Sequence, residues 1–237
     1  MVNTISRFKF FSFIILLIIS PVTAQTEWCG VNTLYFQHQN SPDITTYEQL
    51  INYPSGAPET DESVTVKASD GLKLIDTYIS PDGSPGSSSL LKGLRRYRTF
   101  HYVDKAAGTT KINFTPFIRY TNGTEKVLYT VATDDINDLT VNEYLTSYVS
   151  PVDFNFSVGD RFGIRVYAKT DQQSNVVVHW VYEGSYHYSS VESGSFVCPA
   201  LEYVPVISMP DDSLIMSIVG GFIGGLIVIM FYRRKRK

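Results

Sequence analysis

The residues that could do chemistry are few and scattered. Four histidines, His38, His101, His179 and His187, stand far apart in the chain, with no HExxH or other metal-ligand spacing among them. His101 and His179 fall inside strand-like runs, where a packed imidazole is the simpler expectation. The chain has no GxSxG, no phosphate-binding glycine loop and no GxGxxG, and a Ser/His/Asp triad, which only a fold can assemble, is not legible from spacing. Acidic turns at Asp134-Asp135 with Asp138, and at Asp153 and Asp160, offer hard oxygen ligands without the spacing of a calcium loop. The expectation is therefore a protein that is not an enzyme, with no metal and no cofactor.

Two further sets of side chains suggest contact rather than turnover. Trp180, Tyr186, His187 and Tyr188 lie in or just after a strand-like run, and rings with polar tips suit sugars or protein surfaces. Of these, Trp180 is the one best suited to a core. Asn113, Asn122 and Asn155 each open an N-x-[ST] sequence, with Asn122 in a turn and Asn113 in an expected strand.

The chain's only two cysteines, Cys29 and Cys198, lie near the two ends of its central region, and an oxidising exterior would join them. Such a bond needs Cα atoms within about 7 Å, so the start and end of the folded unit must lie side by side.

The ends of the chain set the compartment. Residues 1–24 read as a signal peptide, with Arg7 and Lys9 before the apolar stretch Phe10 to Ser20 and small residues at Val22-Thr23-Ala24. Residues 213–232 carry no charge and reach the length of about 20 residues that a membrane-spanning helix needs. The basic residues 233–237 that follow place the C-terminus in the cytoplasm. The expected organisation is a single-pass type I protein of the plasma membrane or a virion envelope. Its ectodomain covers residues 25–201 and a stalk with Pro205 and Pro210 covers residues 202–212. Within the span, Gly220 and Gly224, and Gly221 and Gly225, would line one helix face on which two copies could pack.

All 23 Asp and Glu lie between Gln25 and Asp212, whereas 7 of the 20 Lys and Arg lie outside it. The exported part is thus far more acidic than the chain's formal charge of −3, which argues against nucleic acid as a partner. The bilayer, an extracellular protein or glycan, and a second copy are the expected partners.

Alternating runs recur through this part: Ser63 to Lys67, Leu74 to Ile79, Lys111 to Phe114, Val127 to Val131, Phe162 to Tyr167 and Val176 to Tyr182. Turn clusters separate them, and Asn122-Gly123 is the clearest hairpin signal. The pattern predicts an all-β ectodomain, a two-sheet antiparallel sandwich of jelly-roll type, followed by one C-terminal transmembrane helix.

The order of turn and strand-end motifs also resembles a β-sandwich module of phage and archaeal-virus structural proteins and some prokaryotic surface proteins. The residues that carry it are Asp43-Ile44 with Tyr47, Pro54-Ser55, Pro58-Glu59, Asp70-Gly71 before Leu74-Ile75, and Gly83-Ser84-Pro85-Gly86. They continue with Phe100-His101-Tyr102, Gly123-Thr124-Glu125, Asp160-Arg161 before Val166 to Thr170, and Glu183-Gly184 before His187-Tyr188-Ser189. The resemblance implies display or attachment, in the manner of an adhesin or host-recognition module. A virion spike is the alternative, an extracellular glycan hydrolase is a further class, and the resemblance supplies no site residues.

Overall fold

The computed structural model describes residues 28–106 and 108–199, with the strand segments Ile215–Val219 and Leu226–Met230 beyond them. The chain divides into two compact units, Met1–Cys198 and Pro199–Lys237.

Among its described residues the first unit is all-β apart from a one-turn 3₁₀ segment. Its strands are β1 Thr33–Asn40, β2 Glu48–Ile51, β3 Thr60–Val66, β4 Lys73–Ile79, β5 Ser88–Leu90, β6 Gly93–Val103, β7 Thr110–Arg119 and β8 Glu125–Val127. They continue as β9 Val131–Ala132, β10 Asn142–Ser150, β11 Phe154–Phe156, β12 Arg161–Thr170, β13 Val176–Tyr182, β14 Ser190–Glu192 and β15 Phe196–Val197. One long sheet runs β3-β13-β6-β14-β1-β2-β4-β12-β7-β8, with β10 beside β6 and β9 beside β7; β11-β5-β15 form a second, small sheet.

The long sheet is antiparallel except where β2 meets β4, with Glu48 opposite Tyr78. This departs from the purely antiparallel expectation for a topological reason. After β2 the chain crosses to pair β3 with β13 at the far edge, and so returns along β4 in the same direction as β2. The sheet folds over on itself. Tyr97 of β6 stacks on Phe114 of β7 at 4.7 Å between ring centroids, and Trp180 of β13 donates from Nε1 to the Tyr78 hydroxyl of β4 at 2.9 Å.

Alternation explains most of this core. Leu34 and Phe36, Val176, Val178 and Trp180, and Ile112 and Phe114 are all buried at period two. The Asn122-Gly123 hairpin forms as its sequence predicts: Arg119 pairs with Glu125, Gly123 takes φ +83°, and Asn122 Oδ1 accepts from the Thr124 amide. The run Val127 to Val131, by contrast, breaks into β8 and β9.

Cys29 and Cys198 are bonded, with Cα atoms 5.4 Å apart across 169 residues of sequence. Among the described parts of the second unit, β16 Ile215–Val219 and β17 Leu226–Met230 pair antiparallel. No helix among the described residues is long and apolar enough to cross a membrane. The expected signal peptide, stalk and basic tail and Gly220, Gly221, Gly224 and Gly225 lie outside the described residues, as does half of the expected span.

Candidate functional site

At one end of the sandwich five strands stop presenting carbon to the interior and present ionisable groups instead. On β1 the inward series Leu34, Phe36 ends in His38. On β2 Leu50 is preceded by Glu48, on β3 Val66 and Val64 are preceded by Glu62, on β4 Tyr78 is preceded by Asp76, and on β13 Trp180 is followed by Tyr182. Period-two geometry keeps each on the same face as its apolar neighbours, so all five converge. His38 lies five residues along β1 from Thr33, about 17 Å from the end of the strand next to the disulfide.

The distances are those of direct contact. His38 Nδ1 lies 2.6 Å from Glu48 Oε1, 3.3 Å from Glu62 Oε1 and 3.1 Å from the Tyr182 hydroxyl. The Tyr182 hydroxyl lies 2.8 Å from Glu48 Oε2 and 2.9 Å from Glu62 Oε1. Asp76 reaches both Glu62 and Glu48, and its Oδ1 accepts from the Thr77 amide. One donor atom each from His38, Glu48 and Glu62 falls within 4.8 Å of the others, so these three could hold a metal ion.

A proton count shows how unusual this is. A phenol has one hydrogen, so Tyr182 donates to one carboxylate only. Contacts of Asp76 with two glutamates need a proton or a cation between the oxygens. Among the described residues no Lys or Arg forms an ion pair with the three carboxyls, whereas the imidazole of His38 faces two of them directly.

Burial, together with the neighbouring carboxylates, therefore raises the proton affinity of the set. Glu48 is pushed up to about 8 by burial and then by the charges of Asp76 and Glu62. Glu62 is pushed up to about 7 by burial and by Asp76. Asp76 is raised, again chiefly by burial. Burial works to lower His38, but Glu48, Glu62 and Glu183 outweigh it and hold the imidazole above its ordinary value.

Glu48 is nearly closed off, with its side chain 8% exposed, whereas that of His38 is 56% exposed. The cluster is thus a lined recess with an imidazole at its mouth.

Its floor is aromatic. Phe36 meets Trp180 and Tyr78 edge-on at 5.1 and 4.8 Å, and Trp180 stacks against Tyr182 at 5.8 Å. Behind Trp180, His101 is fully buried, stacked at 5.0 Å, and held by burial to about 3. It is neutral packing, as its place in a strand-like run implies.

The other residues expected from sequence do not gather here. Trp180 is fully buried and is no ligand-binding ring, which corrects its place among the candidate contacts. Tyr186 is 81% exposed, His187 pairs with Glu59 at 2.6 Å, and Tyr188 lies under the Arg98 guanidinium at 4.9 Å. Asn122 and Asn155 are exposed, and Asn113 is half-buried in β7 between Tyr167 and Ala132. Glu48, Glu62, Asp76 and Tyr182 were missed because their spacing follows no motif. The available signal was an ionisable residue continuing the buried register of five separate strands.

No family model matches the chain, and no curated protein matches it. Solved structures do. An aminopeptidase from a marine sediment Thaumarchaeota archaeon superposes with a TM-score of 0.51 at 8% identity, over 68% of this chain and 36% of that one. A CocE/NonD family hydrolase from Staphylococcus aureus gives 0.48 at 8% identity, over 70% and 36%. A structure of infectious bursal disease virus gives only 0.29 at 10% identity, over 57% and 33%.

The chain thus spans about a third of the length of the hydrolases it matches. At such identities the likeness shows a shared β-sandwich fold. It nevertheless corrects two expectations, an attachment module of adhesin or spike type and a protein without catalysis. The finding behind both corrections is the aminopeptidase likeness, which is to an enzyme.

Proposed function

We propose that the chain is a hydrolase acting on acyl or peptide-type bonds, with its reaction centre at His38, Glu48, Glu62, Asp76 and Tyr182. The observation that carries this reading is the convergence of three carboxyls, an imidazole and a phenol, within hydrogen-bond reach of one another, at a recess open beside His38.

Hydrolysis needs a base to take a proton from water and an acid to return one to the leaving group. Carboxyls whose protons are held near neutrality supply both roles in one site. Glu48, deepest in the recess, is the acid; Glu62, less deeply set and lower in proton affinity, is the base; Tyr182 orients both. His38 at the mouth steadies whichever carboxylate is ionised. Among the described residues no Ser or Cys side chain is hydrogen-bonded to the cluster, so direct attack by water is the fitting route.

The aminopeptidase likeness points to aminoacyl esters and aminoacyl anilides as first substrates. We further propose that the unit is exported and held outside the membrane by residues 213–232, in keeping with a disulfide that needs an oxidising compartment.

The test is kcat/KM of the full chain on both substrates, beside Glu48→Gln. A loss of about 100-fold or more supports the reading, because a positioned acid or base contributes about that much. Absence of turnover by the unaltered chain overturns it. That result would favour a second reading, suggested by the 36% coverage, in which the sandwich is the accessory part of a two-component hydrolase.

A further inference from the structure

We propose that His38 Nδ1, one oxygen of Glu48 and one oxygen of Glu62 bind a single divalent cation of the zinc type. Ionised and bound to the cation, Glu48 and Glu62 would no longer pass protons, so in the loaded protein the cation would take over the activation of water. For that use in hydrolysis the inference rests on the reading above; for the binding it rests on the geometry alone.

The donor set is mixed. It is one imidazole nitrogen and two carboxylate oxygens, a combination that suits zinc, whose bonds to such atoms are about 2.0–2.2 Å. Ligands at that distance in a tetrahedron lie roughly 3.4 Å apart. The separations of His38 Nδ1 from Glu48 and Glu62, 2.6 and 3.3 Å, and the 4.8 Å limit on the group, bracket that figure.

The three residues come from β1, β2 and β3, so the site is assembled by the sheet rather than by one mobile loop. Asp76 reaches both glutamates from β4, and the Tyr182 hydroxyl touches all three ligands. Partners of that kind fix the orientation of ligands. A cation also resolves the charge problem, since among the described residues no Lys or Arg forms an ion pair with these carboxylates. Exposed acidic clusters are commonplace without metal, but here Glu48 is buried and an imidazole faces it directly.

Three protein ligands leave a position free, and it would open on the His38 side, where the recess meets solvent. That is the arrangement of a cation that activates water rather than one that only braces a fold.

The experiment is calorimetric titration of the chelator-treated full chain with ZnCl₂, with bound metal counted by elemental analysis. Saturable binding of one zinc per chain, weakened at least about tenfold by Glu62→Gln and by His38→Gln, is expected. His38→Gln keeps the test sound if a glutamate variant fails to fold, because that side chain is largely exposed. Asp134→Asn, an exposed aspartate outside the cluster, should bind as the unaltered chain does. No saturable binding, or equal binding by all variants, overturns the inference. Hydrolysis that survives chelation, with no zinc bound, overturns the metal and leaves the hydrolase. Zinc binding without any hydrolysis does the reverse.

Discussion

Replacing Glu48 with glutamine should make the metal-free protein more stable above pH 8 and leave it no more stable at pH 5. In the folded chain Glu48 holds its proton up to about 8 and Glu62 up to about 7, whereas both would ionise near 4.5 when unfolded. Between those limits the folded state binds more protons than the unfolded one. The contribution is therefore complete below about 4.5 and disappears as pH rises through 7 and 8. For Glu48 alone the difference between 4.5 and 8, at about 1.4 kcal/mol for each pH unit, sets a ceiling of about 5 kcal/mol. The two glutamates feel the same repulsion and cannot be summed, and water at the exposed His38 screens the mouth of the recess. A loss of roughly 2–3 kcal/mol between pH 6 and 9 is the working figure. Glu48→Gln removes one of three like charges without changing shape and should recover roughly 1–2 kcal/mol of it at pH 9. The assay is denaturant unfolding of the full chain in detergent, disulfide intact and chelator present, followed by the fluorescence of Trp28 and Trp180, both buried. Stability that is flat or rising from pH 6 to 9, or a variant that is less stable than the parent at every pH, would refute the reasoning.

Two further outcomes follow from packing and from the covalent link. Gly163→Ala should destabilise the unit by about 1–3 kcal/mol, because a Cβ there would lie 2.3 Å from the Phe117 ring; a melt equal to the parent's would show that the ring yields freely. Replacing Cys29 and Cys198 together by serine should cost about 2–5 kcal/mol, measured by denaturant midpoint, since the bond closes 169 residues. An unchanged midpoint would mean that the strands alone hold the two ends together.

Where apolar residues pointed inward, the strands could be read directly: Val176 to Tyr182 became β13, and Leu74 to Ile79 fell within β4. β10 escaped because its pattern is inverted, with Leu145 and Val149 exposed while Tyr144, Thr146 and Tyr148 face inward. β6 was obscured by Arg95, Arg96 and Arg98, of which Arg95 is buried and donates to the carbonyls of Leu94 in the strand and Leu91 in the adjoining loop. Part of the resemblance acquires a physical cause. Asp43 and Arg161 form an ion pair, and Arg161 also donates from Nε to the Ser80 carbonyl at 2.7 Å, tying the β1–β2 loop to β12. The cluster was illegible for a different reason. Its five members span residues 38 to 182, and only the crossing from β2 to β3 and back to β4 makes neighbours of Glu48, Glu62 and Asp76.

The most direct test of the proposed hydrolytic centre is the pH dependence of kcat/KM for an aminoacyl ester, measured with chelator present on the full chain and on Glu62→Gln. An acid held to about 8 and a base at about 7 predict a bell-shaped profile with its maximum between those values, and Glu62→Gln should abolish the acidic limb. A profile that keeps both limbs in the variant, or turnover indifferent to pH from 6 to 9, would contradict the account.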